Sequence, residues 1–463
     1  MADKSKVPED RVRKLEREKE RLREENQCLR QENERLQEQV QDLEKQLRAS
    51  HRQAAPFSNG KRVALPKRAG RKAGQGPFHR RTAPPEDLVT ESVSAPAPEA
   101  CPHCGGALMF EREEIATITD IPQQPRPVVT RYRVAVCHCS RCGKTVRGAA
   151  PGLAADQFGA TAHRVGPGVK AAAHSLHYAT GVPVRKVPQI LKEHLGVSIT
   201  QGALTQDALR RGQAAVGQIY QQLRQEVRQA AVINTDDTGW RVAGSTAHLM
   251  VFVTAASTVY QIRSQHRNEE VRELIPADYA GVMGTDRGKS YDAEEFQAVQ
   301  QQKCWGHLKR NIDEVLDRKQ GGACTFGLVL KDLLDQGLEL HHKRSALSSA
   351  DYQLQVQELD DGLSYHLRDR RLTDTDNQRL LDGIGRHQDR GNLLRFLKVD
   401  GVEPTNNRAE RALRPAVIAR KVSQCSKNTA GAETFTAFVT VLQTALQQGV
   451  HSTVEYLRNL FSP

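Results

Sequence analysis

The sequence predicts an α/β protein in which a mixed sheet-and-helix domain carries a large helical insertion and follows a coiled coil and a zinc ribbon. Three observations predict this. Leucines recur every seventh residue near the N-terminus. Two Cys-x-x-Cys pairs follow. Further on, two separate β-branched apolar runs each lead into an aspartate, and a short carboxylate-bearing helix lies near residue 410. At 463 residues the chain has room for two or three domains. Its 67 Lys and Arg against 55 Asp and Glu, a formal +12, favour a polyanionic partner. No apolar run approaches about 18 residues, which argues against a membrane span. The N-terminal residues are charged and lack an apolar signal segment. Nine cysteines, four of them in two close pairs, point to metal in a reducing compartment rather than to a disulfide framework.

Residues 10–49 read as a leucine zipper. Leu15, Leu22, Leu29, Leu36 and Leu43 occupy d positions, and the a positions include Lys19, Asn26 and Asn33. Polar a residues lower stability but specify register and favour a parallel pair. Glu18 can reach Arg23 of a second helix, and Glu25 can reach Arg30, so a homodimer is the simplest partner. Residues 50–100 form a basic, Gly/Pro/Ala-rich linker. Lys61, Arg62, Lys67, Arg68, Arg71 and Lys72 are among nine cations in a stretch without an acid. Such a segment suits sequence-independent contacts to a phosphate backbone; a merely solubilising linker is the alternative.

Residues 101–146 read as a zinc-binding domain. Cys101 and Cys104, with Cys139 and Cys142, make two C-x2-C turns, each followed by Gly. Four thiolates close a tetrahedral structural Zn²⁺ site. Thr117–Ile121 and Val128–Val136 suit the strands of an elongated ribbon, and Cys137 is a surplus thiol able to replace one ligand. Residues 150–229 are helical in pattern. Lys186–Leu195, Gly196 and Thr200–Arg210 resemble a helix-turn-helix, for which a plain helical hairpin is the alternative.

From residue 230 the period changes. Ala230–Ile233 is a strand-like run that leads to Asp236. Leu249–Val253 and Thr258–Ile262 form a hairpin across a Thr-Ala-Ala-Ser link, and a charged helix follows from Asn268 to Ile275. Ala280–Gly284 is a further apolar run that ends at Asp286. That order of elements is the one found in an RNase H-like domain. In Val402–Lys421, Asn407 and Glu410 resemble a capping box, so a short helix should begin near Asn407. It should break or kink near Arg414, because Pro415 cannot donate into the ladder. Asn407, Glu410, Arg411 and Arg414 share one face of that helix. Asp236, Asp286 and Glu410 together suit two Mg²⁺ ions (Mn²⁺ as a substitute) about 4 Å apart, arranged for in-line phosphodiester displacement. Between Asp286 and Glu410 the pattern is a helical insertion of about 293–400, with segments Ala293–Lys319, Phe326–Leu347, Tyr352–Arg370 and Gly391–Lys398. Residues 230–425 thus make one domain and 426–463 a helical tail. His307 and Arg310 suit the scissile phosphate or a flanking strand; helix packing is the alternative. Trp240 and Trp305 suit base stacking or a half-buried core role.

These blocks resemble the DDE transposases of bacterial insertion sequences, in the family numbered sixty-six. The likeness rests on Asp236 and Thr238 with Gly239-Trp240-Arg241, on Asp286 with Tyr291, on Cys304-Trp305-Gly306-His307-Leu308-Lys309-Arg310, and on Asn406 through Pro415 with Arg420-Lys421. It implies that Asp236, Asp286 and Glu410 are the catalytic triad of a Mg²⁺-dependent enzyme. That enzyme cleaves the ends of its element and transfers the strands into target DNA, and Arg411 and Arg414 contact phosphates. Accessory proteins of the same element are further partners, and the location is the bacterial cytoplasm, at the nucleoid. Asp237 stands where the pattern usually has Glu, and Gly288 where it has an aromatic residue. A catalytically inactive, transposase-derived DNA-binding protein and a nuclease of the same fold are the rival readings.

Overall fold

A computed structural model of the chain describes residues 83–462, apart from 97, 101, 113, 120–126 and 369, together with 18, 19 and 22. The zipper leucines other than Leu22, all six cations named in the basic linker, and Cys101 therefore lie outside the described residues. Glu18, Lys19 and Leu22 are helical. The chain divides into two compact units, residues 1–120 and 121–463. In the first, Glu86–Leu88 form a 3-10 turn and the other described residues from 83 to 119 have no helix or strand.

The second unit opens with a small hairpin, β1 (Val136–His138) and β2 (Thr145–Arg147), wrapped around the second Cys-x-x-Cys turn. Of the strands expected over 117–121 and 128–136, only Val136, the first residue of β1, is in a strand among the described residues. Ile118, Val128 and Val129 remain exposed, so their β-branched preference has no packed surface to act on. Four helices follow: α1 (Pro167–His174), α2 (Val187–Leu195), α3 (Gln201–Gln213) and α4 (Ala215–Arg228). Between α2 and α3, Gly196 takes φ +64° and Thr200 caps α3 by accepting from the Ala203 amide at 3.2 Å. The turn expected at Gly196 is thus formed, with Thr200 as the cap of the following helix.

The central sheet has five strands: β3 (Val232–Val242), β4 (Ser245–Val253), β5 (Thr258–Arg263), β6 (Val282–Thr285) and β7 (Gln300–Lys303). Their order is β5-β4-β3-β6-β7, with β3–β5 antiparallel and β6 and β7 parallel to β3. Helix α5 (Asn268–Arg272) links β5 to β6. Three corrections to the sequence reading concern this sheet. β3 runs eleven residues, so Asp236 lies within a strand and not at its end. The hairpin to β4 continues the strand to a turn at Ala243 and Gly244, both at positive φ. Residues 293–304 are not helical throughout, since they include β7, whose Gln-rich sequence has no apolar run to announce it. Helix α5 stops at Arg272, short of Ile275.

The sheet is covered on both faces. Ile233, Met250, Phe252 and Met283 pack with α1, α4 and the C-terminal helix α13 (Thr453–Phe461). Trp240, Leu249, Val251 and Tyr260 pack on the other face with α11 (Asn407–Ser423) and α12 (Thr429–Gln447). The insertion builds its own core from α6 (Trp305–Leu316), α7 (Thr325–Lys343), α8 (Ser349–Leu367), α9 (Thr375–Asp389) and α10 (Arg395–Lys398). Trp240 and Trp305 are both buried, with their indole N–H groups donating to Ser426 Oγ and the Leu393 carbonyl, so neither is placed to stack on a base. No helix among the described residues is long and apolar enough to cross a membrane.

Asp207 of α3 ties the helical segment together. It accepts from Lys170 Nζ at 2.7 Å, from His174 Nε2 at 2.9 Å and from Arg211 Nε at 3.3 Å. Burial alone would raise its pKa, but the hydrogen bonds to His174 and Lys170 and the charges of Lys170 and Arg211 hold it well below the ordinary carboxylate range. A depressed carboxylate contributes stability above its unfolded pKa, about 4, and loses it as the pH falls further. Asp207→Asn should therefore lower stability by about 2–3 kcal/mol at pH 7, because it strands partly buried cations. In urea unfolding, the gap between wild type and variant should narrow on acidification below about pH 4.

Candidate active site

Strand periodicity places three chemically important residues on one face of the sheet. Val232, Ile233 and Asn234 of β3 pair in parallel with Val282, Met283 and Gly284 of β6. Asp236 is two residues beyond Asn234, and Asp286 is two residues beyond Gly284, so both carboxylates follow on the face that Asn234 occupies. Helix α11 packs over this same face through Ala409, Leu413, Ala416 and Ala419, and it carries Glu410 in its first turn.

One buried polar cluster determines where α11 begins. Asn234 Nδ2 donates to Asn406 Oδ1 at 3.2 Å, Asn406 Nδ2 donates to the Thr235 carbonyl at 2.8 Å, and the Asn406 backbone N–H donates to Cys304 Sγ at 3.2 Å. Gly284 makes room for it, because a Cβ there would collide with the Asn234 amide. Asn406 is thus the N-cap, with its side chain committed to β3 and not to the helix; the capping box expected at Asn407 and Glu410 is not formed. The Asn406 carbonyl accepts from the Glu410 amide at 3.1 Å, which places Glu410 one turn along. Nor does the helix break near Arg414. It continues through Pro415 to Ser423. The buried alanine and leucine stripe, the Tyr260 hydroxyl on the Ala412 carbonyl at 2.6 Å, and Arg420 on Thr238 Oγ1 at 3.0 Å hold it against the sheet on both sides of the proline.

The carboxylates are held by backbone amides. Asp236 Oδ1 accepts from the Asp237 N–H at 2.9 Å, and Asp286 Oδ1 accepts from the Gly288 N–H at 2.7 Å. Gly288 is explained by that contact, since a Cβ there would sit 2.9 Å from Asp286 Oδ1 and 3.3 Å from the Tyr291 ring. Burial pushes the Asp236 carboxyl up to about 7, and the negative charges of Asp286, Asp237 and Glu410 push in the same direction, against its bond from the Asp237 amide. Asp236 is thus within electrostatic reach of both Asp286 and Glu410. Their donor set is all oxygen, which fits a hard divalent cation. The triad's ligand atoms are not all within 4.8 Å of one another, unlike two other groups of described residues, Cys304–His307–Glu410 and Asp237–His248–His266.

His307 lies beside Glu410, its Nδ1 3.8 Å from Oε1, an ion-pair distance too long for a hydrogen bond. Its pKa is raised, first by a hydrogen bond with Cys304. Burial would raise the Cys304 thiol, but His307 and the Asn406 amide bring it below its ordinary value. Arg310, Arg411 and Arg414 are exposed, and none of them forms an ion pair among the described residues. Cys139 and Cys142 are joined in the hairpin turn, and hydrogen bonds from the Cys142 and Arg141 backbone lower the Cys139 pKa. Gly143, at φ +66°, closes that turn, and Gly105, at φ +72°, follows Cys104 in the first unit. The sequence reading missed Asn406 as the anchor of α11. It also missed Lys303, fully buried on β7 and paired with Asp292 at 2.8 Å, and the histidines beside Asp237.

Two outcomes follow. Asn406→Ala leaves the Asn234 amide and the Thr235 carbonyl buried without partners and should lower stability by about 2–3 kcal/mol in urea unfolding. Asp236→Asn should act in the opposite direction. A carboxyl whose pKa is raised on folding weakens the fold as the pH climbs from about 4 to about 7, with no further change above that. In EDTA the variant should therefore be more stable than wild type by about 1–2 kcal/mol at pH 8, with the difference vanishing near pH 4.

Comparison with known proteins bears on the same residues. No curated protein sequence matches the chain. Among solved structures, one similar chain belongs to the simian T-cell lymphotropic virus intasome in complex with PP2A regulatory subunit B56 gamma. The match has 14% identity and TM-score 0.15, and it covers 33% of this chain and 55% of that one. The HTLV-2 integrase catalytic core domain in complex with magnesium matches in its trimeric form at 14% identity and TM-score 0.14, over 32% of this chain and 90% of that one. Its dimeric form matches at 12% identity and TM-score 0.14, over 33% and 96%. The sequence pattern of the Transposase IS66 family matches residues 163–434, a span that runs from just before α1 into α12 and includes Asp236, Asp286 and Glu410. The chain belongs to the IS66 family of transposases.

Proposed function

We propose that the protein is a DDE transposase in which Asp236, Asp286 and Glu410 hold two Mg²⁺ ions, or Mn²⁺ in their place. What supports this reading is that Asp236 and Asp286 follow on the sheet face over which the helix bearing Glu410 packs, and that the charges of Asp286 and Glu410 add to burial in pushing Asp236 up to about 7. The sheet order, with the Asp236 strand central and the Asp286 strand beside it, supports an RNase H-like assignment. Bound divalent cations supply the charge neutralisation that an in-line phosphodiester displacement needs at its attacking and leaving oxygens.

The remaining work falls to the chain itself. The Asp237 and Gly288 amides orient the two aspartates, and the Asn406 anchor sets the height of Glu410 above the sheet. The His307 ring, next to Glu410 and with its pKa raised, suits a phosphate oxygen. Arg310, Arg411 and Arg414 are solvent-facing and suit the flanking DNA backbone. In strand transfer a 3′-hydroxyl oxygen forms a bond to phosphorus as the bond to the leaving oxygen breaks. The hydroxyl proton is lost and the leaving oxygen gains one. One phosphodiester replaces another, so no nucleotide cofactor is required. The basic linker, a zipper homodimer and a Zn²⁺ on Cys101, Cys104, Cys139 and Cys142 complete the reading; the paired Cys-x-x-Cys-Gly turns support the last of these. Element ends and target DNA are the substrates, and other proteins of the same element are candidate partners in a bacterial cytoplasm.

The test uses the full chain and DNA carrying the ends that flank its own gene. Cleavage and joining should require Mg²⁺ and should fall by at least about a thousandfold in Asp236→Asn and in Glu410→Gln, with DNA binding largely retained. Cleavage without joining would favour a nuclease. Binding without cleavage, even with the neighbouring gene products added, would favour an inactive relic.

A further inference from the structure

The face of the sheet opposite Asp236 carries a second group of metal-ligand type that the transposase reading does not use. Asp237 follows Asp236, so its side chain emerges on the other side of β3. There Asp237 Oδ2 lies 3.1 Å from His248 Nδ1, and Asp237 Oδ1 lies 3.2 Å from His266 Nδ1. All three ligand atoms are within 4.8 Å of one another. They come from three chain segments: β3, β4 and the loop between β5 and α5.

We propose that Asp237, His248 and His266 form a binding site for a divalent transition ion of the Zn²⁺ class, separate from the Mg²⁺ carboxylates. Two ligands at about 2.0–2.1 Å from one ion stand about 2.8–3.0 Å apart at octahedral and about 3.3–3.4 Å apart at tetrahedral angles; the two Asp–His separations, one from each carboxylate oxygen, are 3.1 and 3.2 Å and lie between these values. Two imidazoles and one carboxylate make a borderline-soft set that prefers Zn²⁺ to Mg²⁺, whereas the all-oxygen set around Asp236 has the reverse preference. The His266 side chain is only 10% exposed, and its Nε2 is buried without a hydrogen-bond partner. Without an ion Nδ1–H faces the Asp237 carboxylate; metal binding would turn the Nδ1 lone pair to the ion and leave the ring proton on Nε2, which no other contact opposes. Side-chain exposures of 27% at Asp237 and 33% at His248 leave an entry path and room for water as a fourth ligand. An ion there clamps the β3–β4 hairpin to the segment before α5, directly behind Asp236. Its role is then to position that aspartate's strand.

The experiment is a Zn²⁺ and Co²⁺ titration of the full-length protein, in excess Mg²⁺ to occupy the oxygen site. Metal content is measured after dialysis. With Co²⁺, a thiolate site gives sulfur-to-metal charge-transfer absorption and an imidazole–carboxylate site gives ligand-field bands without it, so the two are separable. Wild type should show the ligand-field component. His248→Gln and Asp237→Asn should each weaken that component's affinity by at least about tenfold and leave any charge-transfer component unchanged. Zn²⁺ should also raise the thermal midpoint of wild type more than that of His248→Gln. His248 is the most exposed of the three, and its variant is checked for an unchanged circular dichroism spectrum. If folded His248→Gln keeps the same metal content and Co²⁺ spectrum as wild type, the site is wrong. If wild type binds no Zn²⁺ or Co²⁺ outside thiolates, the cluster is a dry Asp–His hydrogen-bonded pair and the proposal fails.

Discussion

The Asn406 amide is the contact on which the geometry of this domain depends. It bonds to Asn234 across 172 residues of chain and to the Thr235 carbonyl across 171, while its backbone meets Cys304 across 102. Three elements meet there: the central strand, the first turn of the insertion and the helix that carries Glu410. A buried amide offers two donors and two acceptor sites in fixed directions. It therefore specifies one approach of helix to strand where apolar packing alone would tolerate several. The alanines on the sheet side of α11 serve the same end, because small side chains let the helix lie close without dictating its height. The height is set by the polar contact, and Glu410 follows one turn later.

Proximity of that kind brings like charges together. Asp236 is half-buried and lies within reach of the charges of Asp286, Asp237 and Glu410, an arrangement that costs stability in the absence of a counter-charge. The sheet accommodates it by separating roles across its two faces. Asp237, one residue on, has histidines on both carboxylate oxygens. Burial opposes its ionisation, but the bonds and charges of His266 and then His248 outweigh burial and bring its pKa below the ordinary value. Adjacent acids with opposite shifts follow from the two-residue period of a strand. The same period lets Asp237 restrain the backbone at Asp236 without touching the face that Asp236 serves.

Much of this order was legible in the sequence, and what was not has physical causes. The β-branched runs around Ile233, Val251 and Val259 and the Thr-Ala-Ala-Ser link announced β3 to β5, and of the residues expected to share a face of α11, Asn407, Arg411 and Arg414 are exposed while Glu410 is half-buried beside His307. β7 was not visible because Gln301, Gln302 and Lys303 are buried polar residues. Gln302 satisfies the Leu393 carbonyl and the Phe396 amide, and Lys303 is paired with Asp292, so the strand is held by hydrogen bonds and charge where an apolar stripe would be sought. Helix α9 hides its core contacts, Leu380, Leu381 and Ile384, in a largely charged sequence. Pro415 is read locally as a break, and tertiary packing overrides it. Asp237, His248 and His266 have no spacing in sequence that marks them; the register of β3 against β4 brings the first two together, and the chain beyond β5 adds the third.

The insertion resolves a problem of chain entropy. More than a hundred residues separate Asp286 from Glu410, and closing a flexible loop of that length costs about 4 kcal/mol before any contact is made. Here the intervening chain is folded. Trp305 is buried at its start, edge-on to Phe396 near its end at 4.6 Å between ring centres, and its indole N–H reaches the Leu393 carbonyl. The Trp305 amide in turn accepts no freedom at the exit, since it donates to the Pro404 carbonyl two residues before Asn406. Entry and exit of the insertion are thus pinned together by one tryptophan, and the helical core between them carries the closure cost through its own burial. The insertion acts as a rigid spacer. It returns the chain to β3 at Asn406, one turn before Glu410.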